Sequence, residues 1–294
     1  MISPPAGGAL VYWHRGMAQI LDGKLLARKI GEEIRDTLTG SKKKLRLAIV
    51  VVGEDPVVRA FIQKKQKEAA ALGIDTRVFP FEVHITTNEL RKRLSVIVHE
   101  KKNSGVIIQL PLPPHINTQY ILNSIPPEKD VDMLSARAIG NFTVGKSTVM
   151  PPVVGAIRAF FEEYGISYRE KKIVIVGAGN LVGRPVALWL ARERIPFSLI
   201  EKDTPAPEKI LREADIIISG VGIPGLITGD KVKEGVVVID AGTSESGGKV
   251  VGDVDFDSVS KKASYITPVP GGVGPVAVAM LFKNLVTLEL GIRN

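Results

Sequence analysis

The sequence predicts an α/β protein built on parallel sheets, and three observations predict it. Apolar runs of strand length recur along the 294 residues. Segments of helical pattern separate them. One strand runs straight into a glycine-rich turn that opens a helix, the arrangement of a doubly wound sheet.

Taken in order, Met1 to Arg15 is rich in Gly and Pro, whereas MAQILDGKLLARKI from Met17 reads as the start of a folded unit, so residues 1–16 are expected to be a disordered extension. Leu45–Val52 (LRLAIVVV) reads as a buried strand, Val57–Leu72 as a helix, Thr76–Phe81 as a strand, Asn88–Lys102 as a helix and Val106–Gln109 as a strand. That alternation is βαβ logic and implies parallel pairing. A second unit begins near Pro151. A helix over Ala156–Tyr164 leads to strands at Ile173–Val176, Phe197–Ile200, Ile216–Ser219 and Val236–Asp240. The final helix, Val276–Leu290, follows a glycine-proline knot at Pro270–Pro275 and is expected to pack back on the first unit. The expected division is therefore 17–150, 151–276 and a closing segment 277–294.

Composition closes several routes. With no cysteine, the chain has no disulfide, thiolate nucleophile or cysteine-ligated metal. His14, His84, His99 and His115 lack metal-ligand spacing, so no metal is expected. The formal charge of +8 is spread along the chain, with a short run only at Lys42–Lys44, and no nucleic-acid-reading motif accompanies it. A basic surface also suits an acidic small molecule. No unbroken apolar run approaches the roughly 20 residues of a membrane span, and no signal peptide opens the chain, so a cytoplasmic protein without membrane or nucleic-acid partners is expected.

The segment KKIVIVGAGNLVGRPVALWLARE sets Gly177, Ala178, Gly179 and Gly183 directly after a strand and before a helix. Glycines there allow a tight turn and close approach of a pyrophosphate, whose charge the free amides and positive helix end stabilise. This marks the second unit as a Rossmann-type dinucleotide site, although its spacing is GxGxxxG rather than GxGxxG. Glu201 ends the next strand about twenty residues on, where an acidic side chain accepts from the adenine ribose and repels a 2′-phosphate. Lys202 argues the other way. NAD or NADP is the expected cofactor, with NAD favoured.

Further stretches occur in a fixed order: IxDGK at Ile20–Lys24, VGEDP at Val52–Pro56, KKQK at Lys64–Lys67, QLPLP at Gln109–Pro113, PEKDVD at Pro127–Asp132, GDVDF at Gly252–Phe256 and YITPVPGGVGP at Tyr265–Pro275. From about Met17 onward the chain resembles the bifunctional methylenetetrahydrofolate dehydrogenase/methenyltetrahydrofolate cyclohydrolase family. The resemblance implies a first, α/β folate-binding domain facing the nicotinamide across a cleft, one-carbon tetrahydrofolate derivatives as substrates, and a homodimer. It assigns Lys65 as the catalytic lysine, Gln109 as the residue that holds it and Asp132 as the pterin carboxylate. Phe61, Leu110 and Pro111 fall at the substrate, and Pro270, Gly271, Gly272, Val273 and Gly274 in a loop over it. A helix through Phe61 and Lys65 presents both on one face, as i and i+4.

The chain departs from that pattern at several points. Phe61 stands where the family usually has tyrosine, Val58 where it often has serine, and MPPVV at Met150–Val154 replaces PCTP. Met133 replaces the glycine after DVD, Ala178 and Gly179 replace arginine and serine, and Thr243, assigned to the cofactor side, replaces isoleucine. The altered loop reinforces the preference for NAD. The lost hydroxyls leave three folate readings: a bifunctional enzyme, a dehydrogenase with weakened cyclohydrolase, or a silent folate- or dinucleotide-binding protein. A dehydrogenase for another small substrate leaves the Tyr265–Pro275 run unexplained.

Overall fold

A computed structural model of the chain describes residues 18–41 and 43–292. The expected extension 1–16, Met17, His14 and Lys42 lie outside the described residues. In chain order the first half contains β1 (Gln19–Ile20), α1 (Gly23–Ser41), β2 (Arg46–Val52), α2 (Pro56–Ala71), β3 (Asp75–Phe81), α3 (Thr87–His99), β4 (Gly105–Ile108), α4 (Thr118–Leu122) and α5 (Ala136–Thr143). The second half contains α6 (Pro152–Glu163), β5 (Ile173–Val176), α7 (Gly183–Arg192), β6 (Phe197–Ile200), α8 (Pro207–Glu213), β7 (Ile216–Ser219), β8 (Val237–Asp240), β9 (Ser244–Ser246), β10 (Lys249–Val251), α9 (Phe256–Val259), β11 (Tyr265–Ile266) and α10 (Val273–Leu290).

Two parallel sheets result, a three-stranded one in the order β3-β2-β4 and a six-stranded one in the order β1-β11-β8-β7-β5-β6. In the three-stranded sheet β3 and β4 flank β2, and in the six-stranded sheet β6 and β7 flank β5. That reversal opens a crevice at the carboxyl ends, between β2 and β4 and between β5 and β7. The fold class is thus α/β with a doubly wound parallel sheet, as expected. β1 is a departure, because this opening piece of the chain pairs with β11 and joins the six-stranded sheet.

Alternation of side chains explains how the two sheets hold together. Leu47, Ile49 and Val51 of β2 and Ile173 and Ile175 of β5 enter one shared core with α1, α6 and α10, whereas Ala48, Val50, Val52 and Val174, Val176 point into two separate cores. α10 packs on α1 and α6. By length and composition it is apolar enough to cross a membrane, which amends the expectation that no such stretch exists. Its packing against two helices accounts for that character.

Element ends differ from expectation for local reasons. α3 stops at His99, not Lys102, because the buried Asn103 folds back and its amide donates to the Ile97 carbonyl at 2.9 Å. α6 starts four residues early at Pro152 and α10 three early at Val273, each with a proline in its first turn, where no helical partner awaits its missing amide hydrogen. Asn284, buried on α10, donates to the carbonyls of Val131 at 2.9 Å and Met150 at 2.8 Å, so it pins the loop after β4 and the approach to α6 to one helix. Replacing it by leucine leaves both carbonyls without a donor in the core. Asn284→Leu is expected to lower stability by about 2 kcal/mol, read as a shift in urea midpoint without a change in slope.

Candidate active site

A cleft of about 960 Å³ lies between the carboxyl ends of the two sheets. This is the upper end of the range for small-molecule sites. Its first wall is α2. Asp55 caps that helix by accepting from the amides of Val57 and Val58 at 2.7 and 3.1 Å, and Pro56 begins it. Ile62 and Ala69 bury the inner face, leaving Phe61, Lys64, Lys65 and Glu68 to face the cleft.

The Lys65 amine donates to Gln109 Oε1 at 2.8 Å. Gln109 follows β4, is buried, and donates its own amide to the Leu110 carbonyl at 2.9 Å, so its oxygen is fixed toward the lysine. Asp132, half-buried, lines the same space. Its loop is anchored by the buried Asp130, which accepts from the amides of Leu134 at 3.3 Å and Ser135 at 2.8 Å. Burial pushes the Lys65 amine below the ordinary lysine value, with the Asp132 charge opposing. Burial likewise pushes Asp132 up to about 6, Lys65 restraining the rise and Asp130 adding to it.

The glycine loop forms another wall. A Cβ on Gly23, at the start of α1, would stand 1.8 Å from the Gly272 carbonyl oxygen, so bare backbone is needed for Gly271–Gly274 to dock there. Phe61, Leu110, Thr243, Pro270, Gly271, Gly272, Val273 and Gly274 all line the cleft with Lys65, Gln109 and Asp132. Pro111 does not. It follows a cis peptide bond and is exposed.

On the dinucleotide side, Gly177 has φ +86°, and a Cβ on Gly183 would meet the Gly177 carbonyl oxygen at 1.7 Å. No side chain caps the start of α7; the Arg184 amide is taken by the Gly179 carbonyl at 3.0 Å and Pro185 has no amide hydrogen, which leaves the Gly183 amide at the helix start to meet an anion. The turn therefore fits a dinucleotide pyrophosphate. Gly177, Ala178, Gly179 and Gly183 stand behind the cleft, whose wall is made instead by Asn180, Leu181, Val182 and Pro185. Glu201 and Lys202 also lie outside that lining, both exposed, and the Glu201 carboxylate accepts from the Ala178 amide.

Two buried carboxylates escaped the sequence reading. Asp253 accepts from the Ser219 hydroxyl and the amides of Val221, Gly222 and Ile223 at 2.7 to 2.9 Å, holding the loop after β7 beside the glycine turn. Asp240 accepts from the amides of Gly242, Asp253 and Val254 at 2.9 to 3.2 Å and so fixes the loop that carries Thr243. Burial pushes Asp240 up to about 6.

Comparisons with known proteins agree with this layout. Residues 21–132 match the family model of the tetrahydrofolate dehydrogenase/cyclohydrolase catalytic domain, and residues 151–291 that of the tetrahydrofolate dehydrogenase/cyclohydrolase NAD(P)-binding domain. The chain is 42% identical over 282 residues to the bifunctional protein FolD of Sulfurihydrogenibium sp. (strain YO3AOP1), covering 94% of this chain and 98% of that one. The crystal structure of the bifunctional FolD methylenetetrahydrofolate dehydrogenase/cyclohydrolase of Campylobacter jejuni superposes with a TM-score of 0.89 at 38% identity, covering 93% of this chain and 99% of that one. The Trypanosoma brucei methylenetetrahydrofolate dehydrogenase-cyclohydrolase, complexed with NADP and an inhibitor, gives 0.88 at 32%, covering 94% and 98%.

Met133 carries a cost that its neighbours do not. It adopts φ 58°, a left-handed conformation that disfavours any side chain, yet its own is buried in the cleft wall. Glycine at that position removes the backbone strain along with the packing, whereas alanine removes only the packing. Met133→Gly is therefore expected to be more stable than Met133→Ala by about 1 kcal/mol, as compared by thermal and urea unfolding of the two variants.

Proposed function

The chain belongs to the tetrahydrofolate dehydrogenase/cyclohydrolase family, and on that premise we propose how one cleft serves two reactions. The enzyme oxidises 5,10-methylenetetrahydrofolate to the 5,10-methenyl cation with NAD(P), then hydrolyses that cation to 10-formyltetrahydrofolate. The observation that carries the reading is the Lys65 amine held on Gln109 beside Asp132 and the Phe61 ring, in a cleft that reaches the glycine turn. In this reading residues 17–150 form the folate platform, 151–276 hold the dinucleotide, and 277–294 close back on the platform. The family membership and the free edge of β6, the last strand of its sheet, support a homodimer.

In the first reaction the chain's work is placement. Phe61 offers a flat face to the pterin, Asp132 accepts from its ring N–H groups, and Gly271–Gly274 cover it. The bound dinucleotide supplies the hydride acceptor. Once the methylene carbon has lost a hydride, the resulting cation is shared between N5 and N10.

In the second reaction a water attacks that carbon while Lys65, as a neutral amine, takes one of its protons. The C–N5 bond then breaks. N5 receives a proton, the water oxygen becomes the formyl oxygen, and the second water proton leaves to solvent. A cationic substrate and partial burial both favour the neutral amine the step requires. Gln109 aligns that amine without the tyrosine hydroxyl that Phe61 lacks. The bifunctional relatives favour this reading over a dehydrogenase-only or silent protein.

Following methenyl formation and loss in one cuvette tests the assignment. Lys65→Met should slow cyclohydrolysis by about 10²–10⁴-fold and reduce hydride transfer far less. Equal losses in both steps would remove the general-base role. The wild-type hydrolysis rate should rise with pH through a midpoint below the ordinary lysine value, as the ammonium is lost. Because the Asp132 charge holds that midpoint up, Asp132→Asn should move it to lower pH at saturating folate.

For the cofactor we infer a preference for NAD. Glu201 stands beside the turn with its carboxylate on the Ala178 amide, where it repels a ribose 2′-phosphate, and Ala178 offers no guanidinium in compensation. The kcat/KM for NAD should exceed that for NADP, and Glu201→Ser should shift the ratio toward NADP by about tenfold. An unchanged ratio would remove Glu201 from the discrimination.

A further inference from the structure

We propose that Asp240, Asp253 and Thr267 form one buried brace that fixes the dinucleotide side and the folate side of the cleft at a set separation, which makes them positioning residues for hydride transfer and not for hydrolysis. The proposal rests on the two-reaction reading above and assigns the residues that keep hydride donor and acceptor in register.

The brace is built where three neighbouring parallel strands end. β11, β8 and β7 lie side by side and stop at Ile266, Asp240 and Ser219. After β11 the chain runs into Pro268–Gly274 and after β8 into Gly242 and Thr243, all lining the cleft, and after β7 into Val221–Ile223 beside the glycine turn. Thr267 joins the first loop to the second: its buried hydroxyl accepts from the Asp240 amide at 2.7 Å and donates to the Asp240 carbonyl at 3.4 Å. The Asp240 carboxylate joins the second loop to Asp253, accepting from the Gly242 amide at 2.9 Å and the Asp253 amide at 3.2 Å. Asp253 in turn holds the third loop, through the amides of Val221, Gly222 and Ile223. The Ser244 hydroxyl donates to the Gly222 carbonyl at 2.6 Å and ties the second loop to the third directly.

Close packing makes the brace stiff. A Cβ on Gly242 would collide with the Asp253 carboxylate and one on Gly252 with that of Asp240, so each carboxylate is seated directly on backbone. At its two ends the brace meets both ligand walls. Val221 packs on Gly177, where an added Cβ would lie 2.9 Å from its Cγ2, and Gly272 folds back over Thr267, where an added Cβ would lie 2.8 Å from the threonine Cβ. Among the described residues no ion pair reaches either carboxylate. Two like charges buried without a cation are a poor means of stabilising a core, whereas they serve well to gather loop amides into one arrangement. Hydride transfer depends on the distance across the cleft between two carbons. Hydrolysis needs only a water, Lys65 and Gln109, which stand on the first wall and make no contact with the brace.

Two rates and one affinity test the brace: hydride transfer at saturating dinucleotide and methylenetetrahydrofolate, hydrolysis of supplied methenyltetrahydrofolate with no dinucleotide present, and the Kd of NAD by calorimetry. Thr267→Val removes the hydroxyl at nearly constant volume. It should slow hydride transfer about tenfold and raise the isotope effect on kcat for substrate deuterated at the methylene carbon, while hydrolysis stays within about twofold of wild type. Thr267→Ser should restore the hydride rate. Asp253→Asn sets an NH2 group against donors at one end of the carboxylate, and should weaken NAD binding about tenfold with hydrolysis again spared. If that variant does not fold, Ser219→Ala, which removes a single donor, should weaken NAD binding in the same direction by less. Asp130→Asn, a buried carboxylate of the first wall, should slow hydrolysis and leave the Kd of NAD unchanged. Equal losses of both reactions in Thr267→Val, a hydride rate undiminished there, a Thr267→Ser variant no faster than Thr267→Val, or a Kd that rises equally in Asp130→Asn overturns the brace. Formation and loss of methenyl product by the wild-type enzyme tests the two-reaction reading on its own.

Discussion

The contact between the Lys65 amine and Gln109 Oε1 is the constraint from which the rest of the first wall follows. It exists only if the middle of α2 meets the end of β4, and those elements meet because β4 lies on the opposite side of β2 from β3. Reversal of strand order opens the crevice and at the same time brings a helix from one flank and a strand end from the other to its rim. Gln109 can hold the amine because its other end is tied to the backbone at Leu110. A glutamine free to rotate would present oxygen and nitrogen alternately, and only the oxygen accepts.

The second wall solves a different problem with the same economy of contacts. A pyrophosphate needs bare amides, which demands close backbone packing, and the near-contact of Gly183 with the Gly177 carbonyl meets that need. Loops that must stay still but carry no core side chains are held by buried carboxylates. Asp253 takes the amides after β7, and Asp240 takes those flanking Thr243. Each carboxylate substitutes for a sheet partner where the chain has left the sheet.

What was legible in the sequence follows from this division of labour. The bounds of Ile173–Val176 and Ile216–Ser219 are legible to the residue because a strand covered on both faces reads as an almost continuous apolar run; those of Phe197–Ile200 are legible too, although it is an edge strand with Ser198 and Leu199 exposed. β1 and β11 were missed, since two residues carry no period and their existence depends on each other. The sharing of a face by Phe61 and Lys65 follows from helical spacing. That Asp253 caps a loop 30 to 32 residues upstream has no local signal beyond its motif. The extent of α10 was hidden by Pro275, a residue that reads as a stop and serves as a start.

Both reactions in one cleft impose opposite electrostatic demands. A methenyl cation is stabilised by a nearby carboxylate and destabilised by an ammonium, yet in the proposed mechanism the base that takes a proton from the attacking water is Lys65. Burial reconciles the two, because desolvation disfavours charge on Lys65 and Asp132 alike. As the amine becomes neutral it stops repelling the cation and becomes able to take a proton. The charge of Lys65 opposes the rise at Asp132 and the charge of Asp132 opposes the fall at Lys65, so each group tempers the effect of burial on the other. The depth of the cleft thus tunes the pair jointly. Met133 lies buried in the wall beside Asp132 in a backbone conformation better suited to glycine, and adds apolar surface there.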